Sequence, residues 1–193
     1  MSSTYSIKQP LQIKDENITL KGDCFEEKKQ GLMALIFPAK LSYTPSACEV
    51  CGIKNDQHQV IKHACKPTDI QLLPMGNRLT YLRLNRQRFK CKECGCTFSA
   101  QTSIVDKGHY IAKSVIHSIA LDLKNKISMK DIAKRHFVSS KTIERVLKSY
   151  RPQMKMNFSW LPRVLLVDEF KGMSQTEGAM CFIISDADTG KIF

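Results

Sequence analysis

Long apolar runs are missing from this sequence of 193 residues. Stretches such as Met33 to Phe37 fall far short of the roughly 20 residues a helix needs to cross a bilayer, so nothing reads as a membrane span. No charged segment followed by an apolar core opens the chain, which argues against a secretory leader and predicts a cytoplasmic protein. In that reducing compartment the eight cysteines read as metal ligands and buried thiols, not as a disulfide framework. Acid is also scarce, and scarce in particular places. The formal net charge is +12, and residues 78–98 hold six Lys/Arg against one acid while residues 124–155 hold ten against two. The rest of the chain is close to neutral. Clustered positive charge of this kind predicts a polyanionic partner, nucleic acid ahead of membrane.

What is present begins with a repeated knuckle. Cys48 and Cys51 are followed by Gly52, and Cys91 and Cys94 by Gly95. Each C-x-x-C pair can clamp one edge of a tetrahedron from a single tight turn, and four thiolates are the ligand set of a closed zinc site. The glycine after each pair supplies the positive φ such a turn requires. The expected ligands are therefore Cys48, Cys51, Cys91 and Cys94, with Cys65, Cys96, His58 and His63 as alternatives near enough in sequence to compete. Such a site has no open position, so the zinc is expected to be structural, supplying roughly 10–16 kcal/mol to a module too small to fold alone. The 39 residues between the knuckles (52–90) are a tolerable insertion, because loop-closure entropy grows only logarithmically. Cys24 and Cys181 read as buried thiols.

Four regions can be separated. Residues 1–46 are an N-terminal extended segment, with Leu32 to Tyr43 broken at Pro38. Residues 47–100 are a zinc-ribbon finger, in which Tyr81 to Leu84 and Arg86 to Lys90 alternate as a half-exposed β-pair. Residues 108–152 carry three short helices. Ile111, Val115, Ile119 and Leu123 form the apolar face of the first; Ser128 and Asp131 form a capping box on the second; Ser139 caps a third that buries Ile143, Val146 and Leu147 and ends by Pro152. This is the layout of a helix-turn-helix, with Phe137 where the turn commonly has glycine. It places Ser140, Lys141, Thr142 and Arg145 against base edges and Lys134, Arg135, Lys148 and Arg151 against phosphates. His109, His117, His136, Met129, Met154 and Met156 read as surface or packing residues. Residues 163–193 change character: an apolar run closes on Asp168 and Glu169 as a buried strand with carboxylate at its end. Residues 179–184 form a second strand, Asp186 to Gly190 a hairpin turn, and Lys191 to Phe193 the start of a third. Two strands and a fragment cannot close a core, so the sequence is expected to stop inside a domain. The fold class is thus α+β and multi-modular.

In this order, the paired knuckles, the basic lead-in Arg86, Arg88 and Lys90, the helices at 130–135 and 138–146, and the segment 167–172 resemble bacterial insertion-sequence transposases of the ISL-three type. The resemblance implies a zinc finger and helix-turn-helix that bind double-stranded DNA at the element's terminal inverted repeats, and self-association on that DNA in a nucleoid-associated protein. It also implies an RNase H-like catalytic domain of the DDE class, in which three carboxylates hold two Mg²⁺ ions. Asp168 matches the first of the three. The other two lie on elements that do not occur before Phe193, so this chain is expected to bind DNA without cutting it. A zinc-ribbon transcription regulator and a zinc-stabilised protein-interaction module are the competing readings.

Overall fold

The structure is a computed structural model that describes residues 7–125, 127–153, 161–172, 180–190 and 192. The chain divides into two compact units, Met1–Lys148 and Ser149–Phe193.

The first unit is built on a six-stranded sheet. Its strands are β1 (Ile18–Leu20), β2 (Phe25–Lys29), β3 (Leu32–Leu41), β4 (Val60–Gln71), β5 (Thr80–Cys91) and β6 (Thr97–Ser99). The spatial order is β1-β3-β5-β4, with β2 also on β3 and β6 also on β5. Strand pairing crosses the 46/47 boundary drawn from the sequence: β3 runs parallel to β5, from Leu35 opposite Thr80 to Leu41 opposite Arg86. The expected break at Pro38 does not occur. β2 covers β3 only as far as Ile36 and β1 begins at Ala39, so Pro38 falls in the gap between two partners, where its missing N–H interrupts no ladder. Its carbonyl still accepts from the Lys21 N–H at 2.8 Å. The half-exposed β-pair expected at 81–90 is instead one strand. Its antiparallel partner is the edge strand β4, which the expectation had treated as insertion.

Ile18, Ile36, Leu41, Ile70, Leu79, Leu82, Leu84 and Phe89 are fully buried and form the interior of the sheet region. The ribbon therefore shares a core with the N-terminal strands, which corrects the expectation of a module that metal alone holds together.

Three helices follow: α1 (Lys113–Asp122), α2 (Met129–Arg135) and α3 (Ser140–Tyr150). Their apolar faces form around Val115, Ile119, Ile132 and Ile143, all fully buried, while Ile111, expected on the first helix, precedes it in a bridge to Gln71. Both N-caps form, but the expected box at Ser128 does not close reciprocally: the Ser128 hydroxyl donates to Asp131 Oδ2 at 2.6 Å in place of a bond from the Ser128 N–H. The Asp131 N–H donates to Ser128 Oγ and the Thr142 N–H to Ser139 Oγ, each at 3.2 Å. Asp122 at the end of α1 ties α2 back by accepting from Arg135 Nη1 (3.1 Å) and lying 2.9 Å from Nε2 of His136, which is buried.

The turn after α2 is closed by a pair of bonds typical of a left-handed C-cap, Val138 N–H to the Ala133 carbonyl (3.0 Å) and Phe137 N–H to the Lys134 carbonyl (3.3 Å). Phe137 takes the φ of +52° that glycine would normally supply. Its ring explains the exception, since it packs on the cluster Ala34, Ile36, Leu79 and Tyr81 of the sheet. Gln71 holds the same turn by donating from Nε2 to the carbonyl of His136 at 2.7 Å.

In the second unit, β7 (Leu165–Lys171) and β8 (Met180–Asp186) form an antiparallel pair with Asp168 opposite Ile183. The hairpin turn forms as predicted. Asp186 accepts from the Asp188 N–H and the Thr189 hydroxyl, which accounts for the acids there as turn formers. The expected buried strand is not observed: every residue of β7 is exposed, because one partner strand covers its edge but neither face. The third strand is represented by a single bridge, Ser185 to Ile192. Met154, Met156, Ala179, Lys191 and Phe193 lie outside the described residues.

Candidate metal centre and nucleic-acid interface

The two knuckles are the same turn built twice. In each, the first cysteine's N–H donates to the carbonyl five residues on (Cys48 to Ile53, 2.9 Å; Cys91 to Cys96, 3.0 Å). The glycine N–H donates back to that cysteine's carbonyl (Gly52 to Cys48, 3.0 Å; Gly95 to Cys91, 3.1 Å). Gly52 and Gly95 have φ of +76° and +69°, and a Cβ at either would meet no atom within 4 Å. Backbone conformation, not space, is what calls for glycine there.

The knuckles converge because one precedes β4 and the other ends β5, and Val60 pairs with Cys91 across that hairpin. The sulfurs of Cys48, Cys51, Cys91 and Cys94 all lie within 4.8 Å of one another. Cys48 Sγ is 3.8 Å from Cys94 Sγ, and Cys51 Sγ is 3.8 Å from Cys91 Sγ. A tetrahedral zinc with bonds of about 2.3 Å sets its sulfurs about 3.8 Å apart, so the donor set fits the ion. The electrostatics point the same way. The backbone N–H groups of Cys51 and Val50 hold the Cys48 thiol down to about 7, making it the first thiolate. At Cys94 the Cys96 N–H works to lower the pKa, but burial and the crowding sulfurs of Cys51, Cys91 and Cys48 push it up to about 12. Four such thiols ionise together only around a cation.

Among the described residues this is the one cluster of metal-ligating side chains. Cys65 lies away from it, its thiol donating to Gln87 Oε1 at 3.7 Å halfway along the β4–β5 hairpin. Cys96 serves the second knuckle through its backbone. His58 and His63 are exposed and outside the cluster.

The basic residues are sorted by the fold in a way the sequence did not reveal. Arg83 makes a two-pronged contact with Glu27 (2.7 and 3.0 Å) and another with Asp69 (2.9 Å each), and Lys29 bridges the same two acids at 3.0 Å. Arg83 first, then Lys29, hold Glu27 down to about 2. Arg78 is taken by Glu26 at 2.7 Å. These two cations of the basic segment are thus neutralised by β2. Arg86, Arg88 and Lys90 meet no acid among the described residues, although Arg88 Nη2 donates to Thr97 Oγ1 at 2.7 Å.

On the helices, Lys134, Ser140, Lys141, Arg145, Lys148 and Arg151 are exposed. Lys141 lies 3.1 Å from Glu144, and Arg135 is engaged by Asp122. Thr142 differs from expectation. It is buried, with its hydroxyl 3.1 Å from Ser139 Oγ and accepting from Arg145 at 3.3 Å, so here it serves the cap and does not face outward. Asp168 sits in the middle of β7, not at its end, exposed and next to Glu169, and it joins no group of three or more metal-ligating side chains among the described residues.

No helix among the described residues is long and apolar enough to cross a membrane. No curated protein and no solved structure matches the chain. Residues 44–94, which contain all four clustered cysteines, match the family model for the zinc-finger of transposase IS204/IS1001/IS1096/IS1165. This segment is a zinc ribbon of the kind those transposases carry.

Proposed function

We propose that the chain is the DNA-binding part of an insertion-sequence transposase, reading the element's terminal inverted repeats as double-stranded DNA and associating with itself on them. The observation that carries this reading is the match of residues 44–94 to a transposase zinc finger, with an exposed basic helix pair following it on the same unit. In this reading α2, the turn at Phe137 and α3 act as a helix-turn-helix. Ser140, Lys141 and Arg145 at the exposed start of α3 meet base edges, while Lys134, Lys148 and the ribbon's Arg88 and Lys90 meet phosphates. The two sets have different consequences. Binding of a repeat-bearing duplex, followed by fluorescence anisotropy, should weaken by about three to five decades between 50 and 200 mM salt for about six to ten phosphate contacts. Lys141→Ala should relax sequence preference, and Lys148→Ala should weaken all duplexes alike. Salt-independent or undetectable binding would reject the reading.

Asp168 is assigned as the first of three metal-binding carboxylates in an RNase H-like domain, where Mg²⁺ would support phosphoryl transfer. Asp168 joins no group of three or more metal-ligating side chains among the described residues, so residues 1–193 alone should bind element ends without cleaving them. A supercoiled plasmid carrying those ends, incubated with the chain and Mg²⁺ or Mn²⁺, should stay intact, and specific nicking would overturn the reading that these residues bind without cleaving.

A further inference from the structure

β4 is exposed from Ile61 to Pro67, and a pocket of about 320 Å³ opens beside it. Four separate parts of the chain line it. The sheet contributes Lys66 and Thr68 from β4, Arg86 from β5 and Ser99 from β6; the loop leading into α1 contributes His109 and Tyr110. Lys66 and Arg86 are register partners, so their side chains rise on the same face of the sheet.

Arg86 is unusual among the arginines of this unit. Its guanidinium is partly enclosed, its Nε is fully buried with no acceptor, and it makes no hydrogen bond or ion pair among the described residues. Asp69 also lines the pocket but is already committed to Arg83 and Lys29. Burial pushes the Arg86 pKa down from the usual arginine value, opposed only by the Tyr110 hydroxyl, and no acid pairs with it among the described residues. Lys66 has no acid partner among the described residues either. Tyr110 is 63 % exposed, while its backbone carbonyl is fixed by the Gln71 N–H at 2.8 Å. Two uncompensated cations, two hydroxyl side chains and an aromatic face on a fixed backbone are the groups that recognise a phosphate carrying a nucleoside.

We propose that the pocket around Arg86 and Lys66 is a seat for one nucleotide phosphate, with Tyr110 placed to stack on the attached base or sugar. The guanidinium fork supplies parallel donors to two phosphate oxygens, Lys66 a second positive charge, and Ser99 and Thr68 hydroxyl donors. The seat joins the ribbon to the segment entering the helices, so a strand lying in it would be held by both parts of the unit. Only the source of the phosphate rests on the DNA-binding reading above; it could equally belong to a free nucleotide.

The test uses the full zinc-loaded chain and the side-chain Nε–H resonance of Arg86, assigned by its loss in Arg86→Gln. Inorganic phosphate and a repeat-bearing duplex are titrated separately. A saturable shift with both, together with an affinity loss on the order of tenfold in Arg86→Gln and a log K against log [salt] slope smaller by about one, establishes a seat for duplex phosphate. A shift with phosphate alone, and wild-type DNA binding by Arg86→Gln, keeps the seat and assigns it to a free phosphate-bearing ligand. A resonance that moves with neither probe overturns the proposal, whatever the variant does to DNA affinity. A wild-type chain that binds no duplex defeats the functional reading, and the phosphate titration still decides the seat.

Discussion

β5 and β7 both carry large apolar side chains, yet one is the centre of a core and the other is bare. In β5, Leu82 and Leu84 are fully buried and Phe89 is 1 % exposed; in β7, Val167 and Phe170 are 61 % and 50 % exposed. The difference lies in neighbours. β5 is flanked by β4 on one side and by β3 and then β6 on the other, while β7 has β8 alone among the described residues. Apolar composition makes a strand want cover, and only further elements supply it.

The contrast can be broken most forcefully at the metal. Cys91→Ser should abolish stoichiometric zinc, read by elemental analysis, and remove most of the roughly 10–16 kcal/mol that such a site supplies. Deuterium uptake should then rise across residues 44–60 and 88–99 and stay unchanged in β7 and β8. Retained protection in the metal-free chain would show that the sheet holds the knuckles by itself.

Phe137 tests how firmly the helices are attached to the covered sheet. Phe137→Ala should cost about 2–3 kcal/mol, less than the full cost for an enclosed ring because Phe137 is only partly buried. Phe137→Gly should be milder by about 1 kcal/mol, since it loses the same ring but relieves the positive φ. Thermal unfolding separates the two, and equal losses would refute the conformational argument.

The Arg83 cluster should show itself through pH. Glu27 is held below its usual value of 4.5, at about 2, so its contribution is complete above about pH 4.5 and is lost as pH falls toward 2. Arg83→Met should flatten that acid limb in denaturation midpoints measured across the range. A limb unchanged in the variant would mean that Glu27 is not held by Arg83.

The smallest effect belongs to β7. Val167→Ala should alter stability by no more than about 0.5 kcal/mol, as expected for an exposed side chain. A cost well above that, in chemical denaturation, would mean the face is covered in solution.

Features that span a few residues were legible in advance. Both knuckles, the N-caps at Ser128 and Ser139 and the turn at Asp186 formed as expected, because each closes within about five positions and its geometry follows from residue type. Harder to see were the passage of β3 through Pro38, the role of β4, the inward turn of Thr142 and the mid-strand place of Asp168. Pro38 looks like a stop until two different strands are known to share β3's edge. Thr142 looks like a reader until α3's buried face is fixed by what it packs on.

By itself the sequence determined which residues could ligate a metal, where the second and third helices begin, and where positive charge accumulates. The tertiary structure decided which of those charges remain available. Glu27 and Arg83 lie 56 positions apart and Gln71 and His136 65 apart, and no local pattern encodes such pairings. They exist only once parallel pairing of β3 with β5 has brought distant strands into register, which is a property of the whole sheet and of no single segment.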